Sequence, residues 1–301
     1  MGMRLSDHGV GVVFVLISAL VFSSAGLFVK GVSSDAWSII FWRGLSAAVI
    51  TVAYCTWRRS LRREFLQMGR PGLVAGLVGA SGTIAFIPSF KYTTIANVSL
   101  IYAAAPFASA AIAWLWLKEK PTRTILVAST VAFCGVLLIV GGSLGSLNLT
   151  GDALALWMTL VMAVFMCIYR RYPETPAAGP SVVLSLSLLP VGWLLGDPLA
   201  ASLKEIAIMA TFGLVFAVAS IALAEGARRL PAPETALISA LETPLAPVLA
   251  YVVFTEVPAV LTVIGGTVIF AAVLYSQTRV APRAKPDPSA VPRCADEGHS
   301  A

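Results

Sequence analysis

The sequence predicts an all-α integral membrane protein with ten transmembrane helices, arranged as two inverted-topology repeats of five helices. Three observations lead to this fold class. The first is composition: 58% of the 301 residues are hydrophobic and only 12% are charged, whereas soluble domains hold ~45–50% apolar and ~25% charged residues. The second is that the apolar residues fall into runs of membrane-spanning length. The third is a duplicated apolar stretch that contains proline.

Ten predicted spans account for most of the chain. Each is close to the ~20 residues that a helix needs to cross ~30 Å of hydrocarbon. We expect the first span to be retained, because it is longer than the ~7–15-residue core of a signal peptide. The predicted spans are residues 9–29, 36–57, 71–90, 94–117, 122–140, 151–170, 180–196, 204–227, 233–254 and 259–277.

These spans divide the chain into a first five-helix repeat, residues 1–141, and a second, residues 151–277. Residues 278–301 are proline-rich and polar, which predicts a disordered cytoplasmic tail. Small residues at four-residue spacing in the spans are interpreted as packing faces within one bundle, so we expect a monomer.

The net charge of +6 indicates topology rather than nucleic-acid binding. With a cytoplasmic N-terminus, 17 of the 21 basic residues fall in inner segments and three, Lys30, Lys91 and Lys204, fall in outer loops. Cytoplasmic loops are enriched in lysine and arginine. The distribution therefore predicts that both termini are cytoplasmic, and we expect a lipid bilayer and no nucleic acid as partner.

Two stretches of the chain follow one plan. They are LIYAAAPFASAAIAWLWLKEKP, Leu100–Pro121, and LISALETPLAPVLAYVVFTEVP, Leu237–Pro258. Because each repeat has five helices, an odd number, the second repeat starts on the opposite side of the membrane. The first stretch therefore ends in a basic inner turn and the second in an outer turn without a base. Inverted repeats of this kind are typical of secondary transporters, whose substrate site lies near the midplane between the halves.

The segments FSSAGLFVKGV (22–32) and FWRGL (41–45), with the two stretches above, resemble the EamA family of the drug/metabolite transporter (DMT) superfamily. The resemblance covers about residues 9–277, although Phe22–Ser23 replaces the family's tryptophan–glycine. It implies a ten-helix exporter of amino acids and other metabolites in the inner membrane of a bacterium, without a cofactor. In length and pattern the chain is most similar to YddG-type aromatic amino-acid exporters.

An enzyme is the least favoured class. The two histidines, His8 and His299, lie outside the predicted spans, which argues against a membrane-embedded histidine hydrolase or metal centre. The GxxxxGK[ST] phosphate loop is absent from the sequence, so we expect transport driven by a gradient or passive flow, not by ATP hydrolysis.

Glu242 is the main candidate for coupling or recognition. A carboxylate at mid-membrane costs ~2.5–3.5 kcal/mol on insertion scales and usually faces a cavity or a partner. The functional interpretation is a carboxyl that binds a proton or an amine in the cavity. The structural interpretation is a carboxyl that satisfies backbone groups freed by Pro244 or Pro247.

Two cations near the predicted outer face are candidates for an outer gate, Lys30 and Arg43. Arg43 lies in the second span, and two interpretations have equal weight. In one, it extends to the outer interface and pairs with Asp35. In the other, it attracts a substrate carboxylate or closes the outer gate.

Aromatic and polar residues of the spans are candidates for substrate binding. Aromatic faces in a polar cavity suit aromatic or apolar substrates, and hydroxyl and amide groups suit amino or carboxyl groups. The alternatives are lipid contact, core packing and hydrogen bonding between helices. The candidates are Tyr102, Trp157, Phe86, Asn97, Ser81 and Ser239.

Prolines within the spans are candidate hinges for alternating access. They are Pro88, Pro106, Pro190, Pro244 and Pro247. Two alternative functions remain at this level: uptake or exchange of another metabolite class by the same fold, and a passive channel or sensor.

Overall fold

The computed structural model describes residues 7–93, 95–140, 148–255 and 259–279, and these residues form helices and short connections without a strand. The predicted all-α class is therefore confirmed for them. Two π-helical turns, Arg62–Leu66 and Ala113–Leu117, and one 3-10 turn, Pro198–Ala200, extend or join the helices. The α-helices of the described ranges are α1 (Asp7–Ser23), α2 (Ala25–Lys30), α3 (Ala36–Trp57), α4 (Gly69–Tyr92), α5 (Ile95–Tyr102), α6 (Ala105–Ile112), α7 (Arg123–Val140), α8 (Leu149–Arg171), α9 (Ala178–Leu195), α10 (Leu203–Ala227), α11 (Ala232–Ser239), α12 (Glu242–Phe254) and α13 (Val260–Arg279).

Eight helical stretches in these ranges are long and apolar enough to cross a membrane, and α1 is a shorter apolar helix of 17 residues. This supports an integral membrane protein. Every predicted span coincides with helix, and the third coincides with α4, which is long enough at 24 residues but richer in glycine and serine. The predicted tail needs one correction, because α13 continues to Arg279. Residues 280–301 lie outside the described residues.

Three of the predicted spans are broken rather than continuous. The first is interrupted at Ser24, where the hydroxyls of Ser23 and Ser24 donate to the carbonyls of Leu20 and Val21. Serine hydroxyls that bond to nearby carbonyls compete with the helical ladder. The predicted helix over 9–29 is therefore two helices, α1 and α2.

The other two breaks lie at matching places in the two halves. α5 and α6 are separated by Ala103–Ala104, and α11 and α12 by Ala240–Leu241. A proline removes one backbone donor and its ring clashes with the carbonyl four residues earlier. Pro106 and Pro244 stand four residues after Tyr102 and Ala240, so each proline accounts for the break before it. The backbone at both breaks closes with i to i−3 hydrogen bonds, for example Ala104 to Ile101 and Leu241 to Ile238.

Helix packing follows the same plan in both halves. α4 packs against α8 and α9, and correspondingly α10 packs against α1 and α3. Further pairs also join one half to the other, among them α3 with α9, α6 with α11, and α7 with α13. In the last pair, a Cβ on Gly135 would lie 2.8 Å from the Gly265 carbonyl, so these glycines allow the closest approach of the two helices.

Several hydrogen bonds and ion pairs between distant elements fall at two ends of the bundle. At one, which we name the basic end, His8 contacts Glu234, Glu119 contacts Arg170, and Glu64 accepts from the backbone of Ala178. The other, named the opposite end, is built from the contacts Ser33–Glu205, Thr93–Asp152 and Trp42–Pro198. Through the first eight predicted spans, the chain passes from one group of contacts to the other with each span.

Candidate functional site

The facing helix breaks bring two predicted site residues together. Tyr102 is the last residue of α5 and Glu242 is the first of α12. Their side chains form a hydrogen bond, in which the phenol hydroxyl donates to the carboxyl group. A proline-induced break lies next to each residue, so the two side chains meet where both helices lose backbone hydrogen bonds. The site thus joins the two halves through one hydrogen bond.

The surroundings of this pair are apolar on one side and polar on the other. Tyr102 packs against a buried apolar cluster from α4, α5 and α8, formed by Ala85, Val98, Ala155 and Met158. Ser239 ends α11 three residues before Glu242, is 5% exposed, and has a buried hydroxyl with no hydrogen-bond partner in the structure. A buried polar atom without a partner costs free energy. Ser239 therefore has spare capacity to bind a polar group.

Arg43 on α3 is the second notable group, because it is a buried cation. It is 3% exposed, and its guanidinium lies 4.2 Å from the ring centroid of Phe216 and 5.3 Å from that of Phe212. Its Nε and Nη2 atoms are buried and have no hydrogen-bond partner in the structure. The rings contribute cation–π attraction, worth ~0.5–2 kcal/mol, but they leave the directional N–H donors unused.

The structure argues against extension of Arg43 to the outer interface and against its pairing with Asp35. Asp35 instead caps the N-terminus of α3 and accepts hydrogen bonds from Trp37 N, Ser38 N and the Ser38 hydroxyl. Partial burial raises the pKa of the Asp35 carboxyl, but these hydrogen bonds outweigh it and hold that pKa below its ordinary value. Lys30, the other predicted gate residue, ends α2, and its side chain lies outside what the structure describes.

The remaining predicted binding residues are dispersed. Trp157 is 54% exposed and lies on an exposed stripe of α8 with Leu156 and Leu160, away from the face that packs on Tyr102. Phe86 on α4 is 36% exposed, and the Ser81 hydroxyl donates to the carbonyl of Val78 in its own helix.

Asn97 also lies apart from the Tyr102–Glu242 pair. It is 8% exposed, and its amide donates to the Thr93 hydroxyl at 3.0 Å near the start of α5. The predicted hinge prolines have different local roles. Pro88, Pro190 and Pro247 lie inside α4, α9 and α12, whereas Pro106 and Pro244 lie in the first turns that follow the two breaks.

Sequence reasoning missed one buried polar cluster. Glu234, on α11, is 0% exposed, and its Oε1 lies 3.0 Å from both His8 Nε2 and Gln277 Nε2. The prediction that His8 lies in a tail outside the spans is wrong, because α1 begins at Asp7 and includes it. One signal was available: Glu234 is a second acid in the ninth predicted span, only two turns from Glu242.

Charged side chains at the basic end form a separate groove of about 390 Å³, lined by Trp116–Glu119, Arg170 and Arg171. Within it, Arg170 Nη2 lies 3.0 Å from Glu119 Oε1. The nearby Glu225 pairs with Arg228 and Arg229, as its i+3 and i+4 spacing predicts. Both of these acids, Glu119 and Glu225, are thus paired with arginines. Among the described residues no cluster of three or more histidine, cysteine or acidic side chains could hold a metal ion.

Comparisons with known proteins agree with the fold. Residues 9–141 match the model of the EamA-like transporter family. A 143-residue stretch is 29% identical to mouse (Mus musculus) solute carrier family 35 member G1, and covers 44% of this chain and 36% of that protein. This chain thus spans about a third of the mouse relative. The uncharacterized transporter YyaM of Bacillus subtilis is 24% identical over 257 residues, covering 80% of this chain and 83% of the relative.

The fold also matches a solved structure. That structure, described as the crystal structure of a protein, superposes with a TM-score of 0.77 at 14% sequence identity, over 89% of this chain and 96% of the other. The family match thus covers the first part of this chain, and the two relatives similar to it are named as a solute carrier and a transporter.

Proposed function

We propose that this chain, as an EamA-like transporter, is a secondary exporter of amino acids and related small metabolites that works by alternating access around Tyr102 and Glu242. The observation that carries the proposal is the hydrogen bond between these two side chains at facing helix breaks, one in each half. Secondary transporters bind substrate where broken helices of two repeats meet.

The proposed architecture is ten membrane crossings in two inverted halves. Three observations support it: the repeated packing plan, the matching breaks, and the division of the polar contacts between two ends. The connections at the basic end carry most arginines and lysines, so we assign this end to the cytoplasm. In a bacterium this membrane would be the inner membrane.

Glu242 supplies the proposed coupling group. Glu242 is half-buried, and a carboxylate partly removed from water is stabilised by a proton, a cation or strong hydrogen bonds. The Tyr102 hydroxyl provides one hydrogen bond, and the remaining stabilisation comes from either a proton or the ammonium group of a substrate. Because the two compete for the same carboxyl, release of the substrate on one side is coupled to uptake of a proton there.

Arg43 and the N-terminus of α6 suit the carboxylate of an amino acid, whose ammonium group would bind Glu242. The unused N–H donors of Arg43 match the geometry of a carboxylate, and the N-terminus of α6 adds a partial positive charge at the break. The apolar wall behind Tyr102 accommodates a hydrophobic or aromatic side chain. Aromatic amino acids are therefore the first substrates to test.

The experiment is transport by purified protein in liposomes, measured for a panel of amino acids with and without a pH gradient. Glu242→Gln removes the charge while keeping the size of the side chain, and we expect a fall of ~10-fold or more in transport rate, since a hydrogen bond to a charged group is worth ~1.5–3 kcal/mol. We also expect the variant to lose the effect of the pH gradient.

Glu174→Gln is the matched control, because Glu174 is an exposed acid in the turn between α8 and α9. It should transport as the wild type does. Normal rate and normal pH dependence in Glu242→Gln would refute the proposed role of this carboxyl. Counterflow with substrate loaded on each side in turn separates export from uptake or exchange, and saturation with trans-stimulation separates a carrier from a channel.

A further inference from the structure

Two polar clusters close the bundle, one at each end. At the basic end, Glu234 of α11 receives hydrogen bonds from His8 of α1 and Gln277 of α13, both at 3.0 Å. The cluster therefore ties together the starts of α1 and α11 and the finish of α13. Glu234 is fully buried, whereas the His8 side chain is 27% exposed, so the cluster lies just beneath the surface of this end.

At the opposite end, Asp152 of α8 is the carboxylate that accepts hydrogen bonds from the other members of the cluster. Its Oδ1 accepts from the Thr93 hydroxyl at 2.7 Å and from the Asn97 amide at 3.5 Å, and its Oδ2 accepts from Asn148 N at 3.1 Å. The cluster ties the start of α8 to the finish of α4 and the start of α5. Both carboxyl oxygens thus have partners.

The clusters occupy equivalent places in the two halves. Asn97 and Glu234 lie near the starts of the two broken helices. Each stands the same number of residues before the left-handed residue that ends its helix, which is Lys118 for Asn97 and Thr255 for Glu234. Each cluster joins the start of its broken helix to the start of the first long helix of the other repeat, α8 or α1.

A glycine stands beside each cluster, one turn or less along the same long helix. A Cβ on Gly151 would lie 2.7 Å from Thr93 N, and a Cβ on Gly11 would lie 2.9 Å from Arg229 Cβ and Leu230 Cγ. Both long helices therefore pack with minimal separation on the chain that enters the broken helix. Each end of the bundle is therefore closely packed where these long helices meet the chain before the broken helices.

We propose that these clusters are the two gates of the transporter: His8, Glu234 and Gln277 form the gate at the basic end, and Thr93, Asn97 and Asp152 form the gate at the opposite end. The proposal rests on the alternating-access function above. Opening the basic end separates α1 from α11, and opening the opposite end separates α8 from α5. The hydrogen bonds of both gates are formed in this structure.

The gates differ in how completely their carboxyl oxygens are hydrogen-bonded. Glu234 Oε2 is buried without a hydrogen-bond partner, whereas both oxygens of Asp152 have one. A polar network with an unsatisfied member is less stable than a complete one, and this atom gains a partner when the gate opens to water. The gate at the basic end is therefore the weaker of the two.

The experiment measures access to the region between the gates. Ser239→Cys is introduced into a background without the native cysteines, and its labelling rate by a membrane-impermeant maleimide is measured from each side of oriented vesicles. Glu234→Ala is expected to raise labelling from the basic end by ~10-fold and to lower labelling from the opposite end. Asp152→Ala is expected to give the reverse pattern, and Glu174→Ala to give the unmodified rates.

A second measurement does not depend on these variants being stable. His8→Cys with Glu234→Cys, and separately Thr93→Cys with Asp152→Cys, are bridged by a short bifunctional thiol reagent that a reductant cleaves. Bridging the first pair should abolish labelling of the probe cysteine from the basic end only, and bridging the second pair from the opposite end only. Reduction should restore both.

Equal changes from both sides, or labelling that neither the variants nor the bridges alter, would overturn the gate assignment. Labelling needs no substrate, so its outcome is separate from that of the transport assay. If Glu234→Ala and Asp152→Ala change labelling in opposite directions while Glu242→Gln transports normally, the gate assignment holds and the central site is refuted. Labelling that the gate variants do not change in opposite directions, together with impaired transport by Glu242→Gln, would refute the gates alone.

Discussion

At the scale of single residues, a buried cation without a matching acid distinguishes this molecule. Arg43 is sandwiched against Phe212 and Phe216, and Phe22 of α1 packs edge-on against Phe216 at 5.9 Å. This chain of rings connects the guanidinium to the segment where α1 breaks at Ser24. A guanidinium stays charged at all accessible pH values, so we infer that its unused donors serve the carboxylate of the substrate.

Substituting Arg43 by glutamine is expected to raise the KM for amino acids with a free carboxylate by ~10-fold or more, because a hydrogen bond to a charged group is worth ~1.5–3 kcal/mol. Transport of the corresponding amides should change little, since an amide carries no negative charge. The measurement is saturation transport in liposomes. Arg43→Lys keeps the charge but not the planar fork, and it should recover part of the affinity. An equal loss for acids and amides would point to a structural role.

At the scale of elements, the two broken helices are the parts most clearly determined by local sequence. Pro106 and Pro244 explain where α6 and α12 begin, and left-handed residues, Lys118 at φ 59° and Thr255 at φ 58°, mark where the two broken helices end. The breaks were expected from proline as candidate hinges. The break at Ser24 was not expected, because serine interrupts a helix only when its hydroxyl turns back onto the backbone.

Replacing Pro106 by alanine restores the missing N–H donor and removes the ring that clashes with the Tyr102 carbonyl. We expect α5 and α6 to join into one helix and to move Tyr102 away from Glu242, so that transport falls by ~10-fold while the thermal midpoint stays at or above the wild-type value. Pro173→Ala, in the exposed turn after α8, is the control. Wild-type transport by Pro106→Ala would show that the break is dispensable.

At the scale of the whole molecule, charge and polar contacts divide the bundle into two unlike ends. The connections near Glu64, Glu119 and Glu225 hold the arginines and lysines that predict a cytoplasmic position. The same connections make the contacts of the basic end, for example Glu119–Arg170. The basic residues and these contacts therefore lie at the same end of the bundle, which is the end that we propose to be cytoplasmic.

Single cysteines at the two ends test this orientation. In a background without the native cysteines, Ser33→Cys at the opposite end should react with an impermeant maleimide added to intact cells. Glu174→Cys at the basic end should react only after the membrane is made permeable. Both positions are exposed, so a failure to react reflects the membrane rather than burial. The reverse pattern would contradict the positive-inside assignment.

The sequence by itself determined the helical content, the positions of the helices, the basic character of one end and the places where proline breaks a helix. These follow from local composition and backbone chemistry. Only the tertiary structure decided which polar groups meet: Tyr102 with Glu242, His8 with Glu234, and Arg43 with two phenylalanines. The physical reason is that a helix apolar on all sides carries no pattern that fixes its rotation about its own axis. Packing against neighbours distant in the chain sets that rotation, and with it the candidate site and both proposed gates.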